Sequence, residues 1–207
     1  MTTKTLNISE EQLVDYSKAH NEPSWMTELR KKALKLTETL EMPKPDKTKL
    51  RKWDFDTFKQ HHTTGDAYTQ LTDLPKSVKE IIDVENSENL IIQHNNELAY
   101  TQVSDQAKHD GVIIEGLSEA LVNHSDLVQK YFMTKAVDVD EHRLTALHTA
   151  LVNGGIFVYV PKNTVVEHPI QYVVLHDDEQ ASFYNHVIIV TEESAEVTYV
   201  ENYLSTT

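Results

Sequence analysis

The sequence predicts an α+β protein, with a helical N-terminal region, a small mixed α/β segment and a strand-rich end. Two observations carry that assignment. Apolar residues recur at helical spacing through residues 24–41, and after Gly155 apolar runs alternate with short polar corners. A third observation concerns how the strands are arranged. Residues 157–164, FVYVPKNT, and 187–194, VIIVTEES, each present an apolar run and then a polar corner, at an offset of 30. Such a repeat fits a solenoid whose coils bury their apolar faces only by stacking, while periodicity alone leaves an antiparallel sandwich open. The 39 % of hydrophobic residues in 207 is enough for a packed core, and 25 % charged residues is ordinary for a soluble surface.

Ser9, with Glu10, Glu11 and Gln12 behind it, reads as an N-cap with a capping box, opening a helix to about Lys18. Ser24 reads as the cap of a second helix running to about Glu41. Met26, Leu29, Ala33, Leu36 and Leu40 form its apolar stripe, and Arg30, Lys31, Lys32 and Lys35 lie on its other face. Pro43 and Pro45 stop it, because proline cannot continue the hydrogen-bond ladder. Residues 43–52, PKPDKTKLRK, form a basic linker that reads as a solvated face rather than a phosphate site, since six acidic residues lie between Glu28 and Asp56. Residues 60–89 read as a loosely ordered connector with a short helix from Pro75 to Asp83. Residues 90–103 read as a hairpin turning at Asn95–Asn96, and 111–116 as a buried strand. Helices are expected at 117–123, 125–132 and 141–152, the last presenting Leu144, Leu147, Ala150 and Leu151 on one face. Asn153–Gly154–Gly155 would cap that helix in a left-handed turn. From there the chain reads as strands at 156–160, 168–176, 181–191 and 195–204.

Charge and composition exclude several functions. The net charge is −14, and it is uneven: residues 1–103 carry 14 basic and 17 acidic side chains, residues 104–207 carry 5 and 16. Such a surface repels nucleic-acid backbones and anionic membranes. No cysteine is present, which rules out disulfides, thiolate nucleophiles and Cys-ligated zinc or iron–sulfur centres within this chain. There is no apolar leader at the N-terminus and no apolar run long enough to span a membrane, so a cytoplasmic location is expected. Gly111 and Gly116 have phosphate-loop spacing, but Leu117 stands where that loop needs lysine and the residues between them are strand-like. Neither ATP nor a cluster is therefore expected to bind the isolated chain. His168, His176 and His186 are the histidines of the strand-rich end from which a small metal-binding module could be built, although their spacing matches no zinc motif. Asp138, Asp140 and Glu141, and then Asp177, Asp178 and Glu179, are acidic clusters in turn-like contexts. A solenoid hydrolase or lyase would draw its acid and base from residues such as Asp177 and Asp178. No catalytic, cofactor or metal residue is assigned.

Residues 144–175, LTALHTALVNGGIFVYVPKNTVVEHPIQYVVL, resemble the start of the core of the SufB/SufD family of iron–sulfur assembly proteins. The residues that carry the resemblance are the helix through Leu147–Leu151, Gly154–Gly155, Val160–Pro161–Lys162 and Pro169–Ile170. Residues 186–203 are similar to the family segment that follows, and LRKWDFDTF at 50–58, with Trp53, to its upstream Arg-x-x-Trp motif. The long helical region ahead of Trp53 favours the SufD branch. The resemblance implies a helical N-terminal region (1–59), an α/β connecting region (60–152), and from 153 to 207 the first coils of a right-handed parallel β-helix. It further implies a non-catalytic scaffold acting with SufB-like and SufC-like subunits, the latter an ATPase. The cluster would be handled by the whole complex, through cysteine and histidine residues of later coils and a C-terminal region that do not occur in these 207 residues. Residues 156–203 should then pair in parallel, one coil upon the next, with Pro161 and Glu193 at corners. A coil with no neighbour above it should expose apolar side chains and unpaired backbone, and self-associate more strongly as salt screens the acidic charge.

Overall fold

The computed structural model describes residues 6–55, 57 and 65–205. They form two compact units, neither contiguous in sequence: residues up to 61 with 120–152, and residues 62–119 with 153–207.

The first unit is helical. Ser9 caps α1 (Glu10–Ala19) as its sequence predicts: its hydroxyl accepts from the Gln12 amide at 3.2 Å, and the Gln12 side chain accepts from the Ser9 amide at 2.8 Å. Helix α2 (Ser24–Thr39) starts one residue earlier than a Ser24 cap implies. Pro23 holds the cap position, and its carbonyl accepts from Met26 at 2.9 Å. The helix ends ahead of Pro43. Its buried stripe is Met26, Arg30, Ala33 and Thr37, rotated from the leucine stripe that periodicity suggests, and Leu29 and Leu36 are only half-buried. Arg30 causes the rotation. Its guanidinium donates to the Glu22 carboxylate at 2.6 and 2.8 Å and to the Ala150 carbonyl at 3.0 Å, which gives a charge expected on the solvent face a reason to be buried.

Ala150 belongs to α7 (Arg143–Leu151). At the other end of α7, Arg143 donates from its side chain to the Thr37 carbonyl at 2.8 Å and from its amide to Glu41 at 2.9 Å. These bonds make α2 and α7 antiparallel. The helix expected at 125–132 is α6 (Ser125–Tyr131), which is tied to α2 by a 2.9 Å hydrogen bond from the Trp25 indole to the Ser125 hydroxyl.

The second unit is built on two sheets. Strands β1 (Asn89–His94) and β2 (Glu97–Gln102) form the expected hairpin around Asn95, which takes a left-handed φ of 53°. Strand β3 (Ile113–Gly116) pairs antiparallel with β4 (Gly154–Val160). Three parallel pairings complete the sheets: β1 with β5 (Ile170–His176), β5 with β7 (Tyr199–Ser205), and β4 with β6 (Asn185–Thr191). One sheet runs β2-β1-β5-β7 and the other β3-β4-β6. Ile91, Ile170, Tyr172 and Val174 from the first sheet meet Ile114, Ile156, Val158 and Val160 from the second in one apolar core.

Parallel pairing of the strands in 156–203 is as expected, and the corners after Pro161 and at Glu193 stack on each other. Asn163 donates its amide to the Glu193 carbonyl at 3.0 Å, and both Asn163 and Ser194 adopt left-handed φ near 60°. The stacking offset is 31 between β4 and β6 but 29 between β5 and β7, against the 30 suggested by aligning the runs.

Three expectations are corrected. Gly154 and Gly155 do not cap α7 but open β4. Gly155 has φ +128°, and a Cβ there would lie 2.0 Å from the His186 carbonyl oxygen, so glycine is required by the approach of the neighbouring strand. The described part of 60–89 is not a loose connector, because Leu74, Val78 and Ile82 pack on Leu90, Ile92, Val173 and Leu175 and cover the outer face of the larger sheet. Within that stretch the helix is one turn, α3 (Lys76–Lys79), followed by a 3-10 turn at Val84–Asn86. A short helix that the sequence did not announce, α4 (Asp105–His109), is capped by the Ser104 side chain. Helix α5 (Leu117–Asn123) forms where expected. Among the described residues no helix is long and apolar enough to cross a membrane.

Candidate functional site

The most distinctive surface lies where the strand stack ends. Strands β6 and β7 are each the last strand of their sheet, and Ile189, Val200 and Tyr203 on them are exposed, with Val165 at the corner beside them. Glu192, Glu193, Glu196 and Glu201 flank these apolar residues, and Glu193 pairs with Lys162. An edge of this kind offers a row of backbone groups beside an apolar strip, which is the chemistry for adding a further strand.

A chain of hydrogen bonds runs from the core to that edge. Gln93 accepts from the Gly155 amide at 3.0 Å and donates to the Asn95 carbonyl at 2.9 Å. The Tyr172 hydroxyl lies 2.6 Å from the Gln93 side-chain oxygen and 2.9 Å from that of Asn185, so its one proton serves one acceptor at a time. Asn185 donates to the Tyr203 hydroxyl at 2.7 Å, and Tyr203 donates to Glu201. Burial raises the Tyr172 phenol well above its usual range. Burial, aided by the bond to Glu201, pushes Tyr203 up to about 12. Both phenols therefore stay protonated near neutrality and act as hydrogen-bond links rather than nucleophiles. The chain joins β1, β4, β5, β6 and β7, and it fixes how successive strands sit over one another. Sequence reading missed it, although Gln93 and Tyr172 stand as polar groups inside apolar runs, and a polar group buried there needs partners.

Asp177 and Asp178 do not form an acid–base pair. His94 accepts the Asp66 amide at Nδ1 (2.8 Å), so its proton is on Nε2 and is donated to Asp177 at 2.9 Å. Asn95 donates to the same carboxylate oxygen at 3.1 Å. Burial works to raise the Asp177 pKa, but these bonds outweigh it and the pKa is lowered, which keeps Asp177 an acceptor. Asp178 accepts the Gln180 amide at 2.8 Å and closes a turn. His94 is thus buried structure, and His148 in α7 is half-buried, its pKa lowered to about 4 by burial and by the nearby Arg30 charge.

The three histidines considered for metal binding have separate surroundings. His168 faces Glu88 at 3.5 Å, His176 stacks on Phe183 at 5.6 Å, and His186 lies on β6 in register with Gly155. Among the described residues no three His, Asp or Glu side chains gather in a way that could hold a metal ion.

The motif residues fall at joints of the fold. Gly154 and Gly155 open β4, Val160 closes it and is buried, and Pro161 and Lys162 turn the corner. Pro169 leads into β5, whose first residue Ile170 is buried. Trp53 is 64 % exposed, beyond a 3-10 turn at Leu50–Lys52.

Comparison with known proteins identifies the family. The family model described as "SufBD protein N-terminal region" matches residues 9–172. The iron-sulfur cluster assembly protein SufD of Bacillus subtilis is 48 % identical over 202 residues, covering 97 % of this chain and 46 % of that protein. An iron-sulfur cluster assembly SufBD family protein of Pyrococcus horikoshii is 29 % identical over 205 residues, covering 94 % of this chain and 45 % of its own length. One from Staphylococcus epidermidis is 28 % identical over 204 residues, covering 94 % and 43 %. The chain spans just under half the length of these curated relatives. With the family match extending over most of its residues, the chain belongs to the SufBD family.

Proposed function

We propose that this chain forms the N-terminal part of a SufD-like scaffold subunit in iron–sulfur cluster assembly, acting in the cytoplasm with a SufB-like subunit and a SufC-like ATPase. In this reading it performs no catalytic step, and the cluster is substrate of the whole complex rather than a resident cofactor of these residues. The observation that carries it is the parallel, corner-over-corner stacking of β4 on β6 and β5 on β7, ending on two edge strands with exposed Ile189, Val200 and Tyr203. A scaffold of stacked coils gains stability from each neighbour, and its ends are where further coils or subunits attach. Residues 153–207 then begin a right-handed parallel β-helix, after a helical region (1–59) and a connecting region (60–152).

Affinity purification of the full-length protein from its own cells tests the role. SufB-like and SufC-like subunits should co-purify in fixed ratio, and depletion of the protein should lower the activity of iron–sulfur enzymes. Recovery of the protein without either subunit, together with unchanged iron–sulfur enzyme activity on depletion, would overturn it. On the isolated 207-residue chain, sedimentation should show self-association through the exposed edge, strengthening as salt screens the acidic residues. A Tyr203→Asp, Val200→Asp variant should abolish it.

A further inference from the structure

The two tryptophans of this chain have opposite surroundings. Trp25 is half-buried, donates to Ser125 at 2.9 Å and packs against Phe132 with ring centroids 6.4 Å apart. Trp53 is 64 % exposed, and its ring lies parallel to that of Phe55, with centroids 5.9 Å apart and 12° between planes. The backbone on both sides is shaped. A 3-10 turn closes with the Trp53 amide on the Leu50 carbonyl at 2.9 Å, and the Asp54 carboxylate then accepts the Thr57 amide at 3.1 Å. Between the turns Trp53 is extended (φ −99°, ψ 138°), and alternation along extended backbone puts residues 53 and 55 on one side.

The stretch leading into this pair is basic in an acidic chain. Residues 43–52 carry five basic and one acidic side chain, and with Asp54 and Asp56 beside the aromatic pair in sequence, residues 43–56 still sum to +2, against a net charge of −14 overall. Lys44 is engaged by Glu41, while Lys47, Lys49 and Lys52 are exposed close to the aromatic pair in sequence. Tryptophan in an exposed patch leaves a large apolar area in water, and it is the residue type most enriched where partners bind.

From this juxtaposition we propose that Trp53 and Phe55, with Lys47, Lys49 and Lys52, dock an acidic segment of a partner protein that carries apolar side chains among its carboxylates. The lysines take the carboxylates and the stacked rings take the apolar side chains. Charge complementarity selects this occupant. A short acidic segment can set its carboxylates on the lysines and its apolar side chains on the rings, where the Asp54 carboxylate is already engaged by the Thr57 amide, whereas a nucleic acid brings continuous negative charge toward a chain of net charge −14.

The test is calorimetric titration of the 207-residue chain with a repeated Glu-Glu-Leu peptide of about 12 residues, beside a Ser-Ser-Leu peptide and an oligo-dT of equal charge. The acidic peptide should bind and the serine peptide should not. Trp53→Ala should weaken binding by about tenfold, and Trp53→Phe by less, because an aromatic face is kept. Replacing Lys47, Lys49 and Lys52 with serine should remove most of the salt dependence. Because Trp53 is exposed, its circular dichroism and melting temperature should stay those of the parent, separating lost docking from lost folding. Absence of peptide binding, binding indifferent to Trp53→Ala, or oligo-dT binding as tightly as the acidic peptide would each overturn the proposal.

Discussion

The helical unit and the strand unit handle buried polar groups in different ways. Around α2 and α7 two buried arginines, Arg30 and Arg143, stand beside the buried hydroxyls of Ser17, Thr37 and Thr149. Arg30 and Glu22 pair with both side chains hidden, with Ser17 donating to Glu22 at 2.7 Å and the Tyr16 ring 5.0 Å from the guanidinium. In the sheets no buried arginine takes part; neutral groups form a chain from buried Gln93 and Tyr172 through half-buried Asn185 to exposed Tyr203. Helices satisfy their own backbone, so a single ion pair can set how two of them pack. Stacked parallel strands share their backbone bonds with the next strand and need register, which a hydrogen-bonded side-chain chain running across the strands supplies. The difference predicts sharp, local failures in the helical unit and failures of stacking in the strand unit.

The largest expected effect is on stacking. Gly155→Ala places a Cβ against the His186 backbone at a φ of +128°, and neither strand can yield without losing its pairing. The loss should exceed about 4 kcal/mol, seen as failure to reach a cooperative urea transition. Gly154→Ala should cost less, because the atoms it meets are the side-chain ends of Gln93 and Phe183. Equal costs would mean that the approach of β6 to β4 is not what selects glycine.

In the helical unit Arg30→Met should cost about 3 to 5 kcal/mol by stranding the Glu22 carboxylate, and the double variant with Glu22→Gln should recover most of that. Burial works to raise the Glu22 pKa, but the Arg30 charge and hydrogen bonds outweigh it, so the pKa is lowered. Its contribution is therefore present above about 4.5 and is lost as pH falls through the lower folded value.

His148 gives a separate acid window. Its pKa falls from 6.5 to about 4 on folding, so the unfolded chain takes up a proton first. Stability is full above about pH 6.5, declines by about 3 kcal/mol between there and about pH 4, and is flat in this group below. Unfolding across that range for the parent and for His148→Leu checks it, and the variant should lose that slope. The smallest effect is Ser9→Ala, which removes one half of the capping box and should cost about 1 kcal/mol, a fall of roughly 2–4 °C in melting temperature.

What a residue's neighbours along the chain decide was legible beforehand. The Ser9 cap, the Asn95 hairpin, the prolines that stop α2 and the strand runs after Gly155 all rest on interactions a few residues apart. The resemblance at Val160–Pro161–Lys162 and Pro169–Ile170 likewise marked corners, where backbone geometry restricts which residues fit. What depended on distant partners was not legible. Periodicity placed Arg30 with the lysines of α2, because nothing near it in sequence shows that Ala150 offers a carbonyl to its guanidinium. Gly155 follows a helical run and so looks locally like a helix cap, whereas its glycine is required by the strand 31 residues later that stands against it. Gln93, Tyr172 and Asn185 are ordinary polar residues in their own strands and become one hydrogen-bonded chain only when parallel pairing brings those strands together. Spacing and composition settle local conformation because its energies are local. The choice of which buried polar groups meet belongs to the tertiary structure, since it depends on removing both partners from water at once.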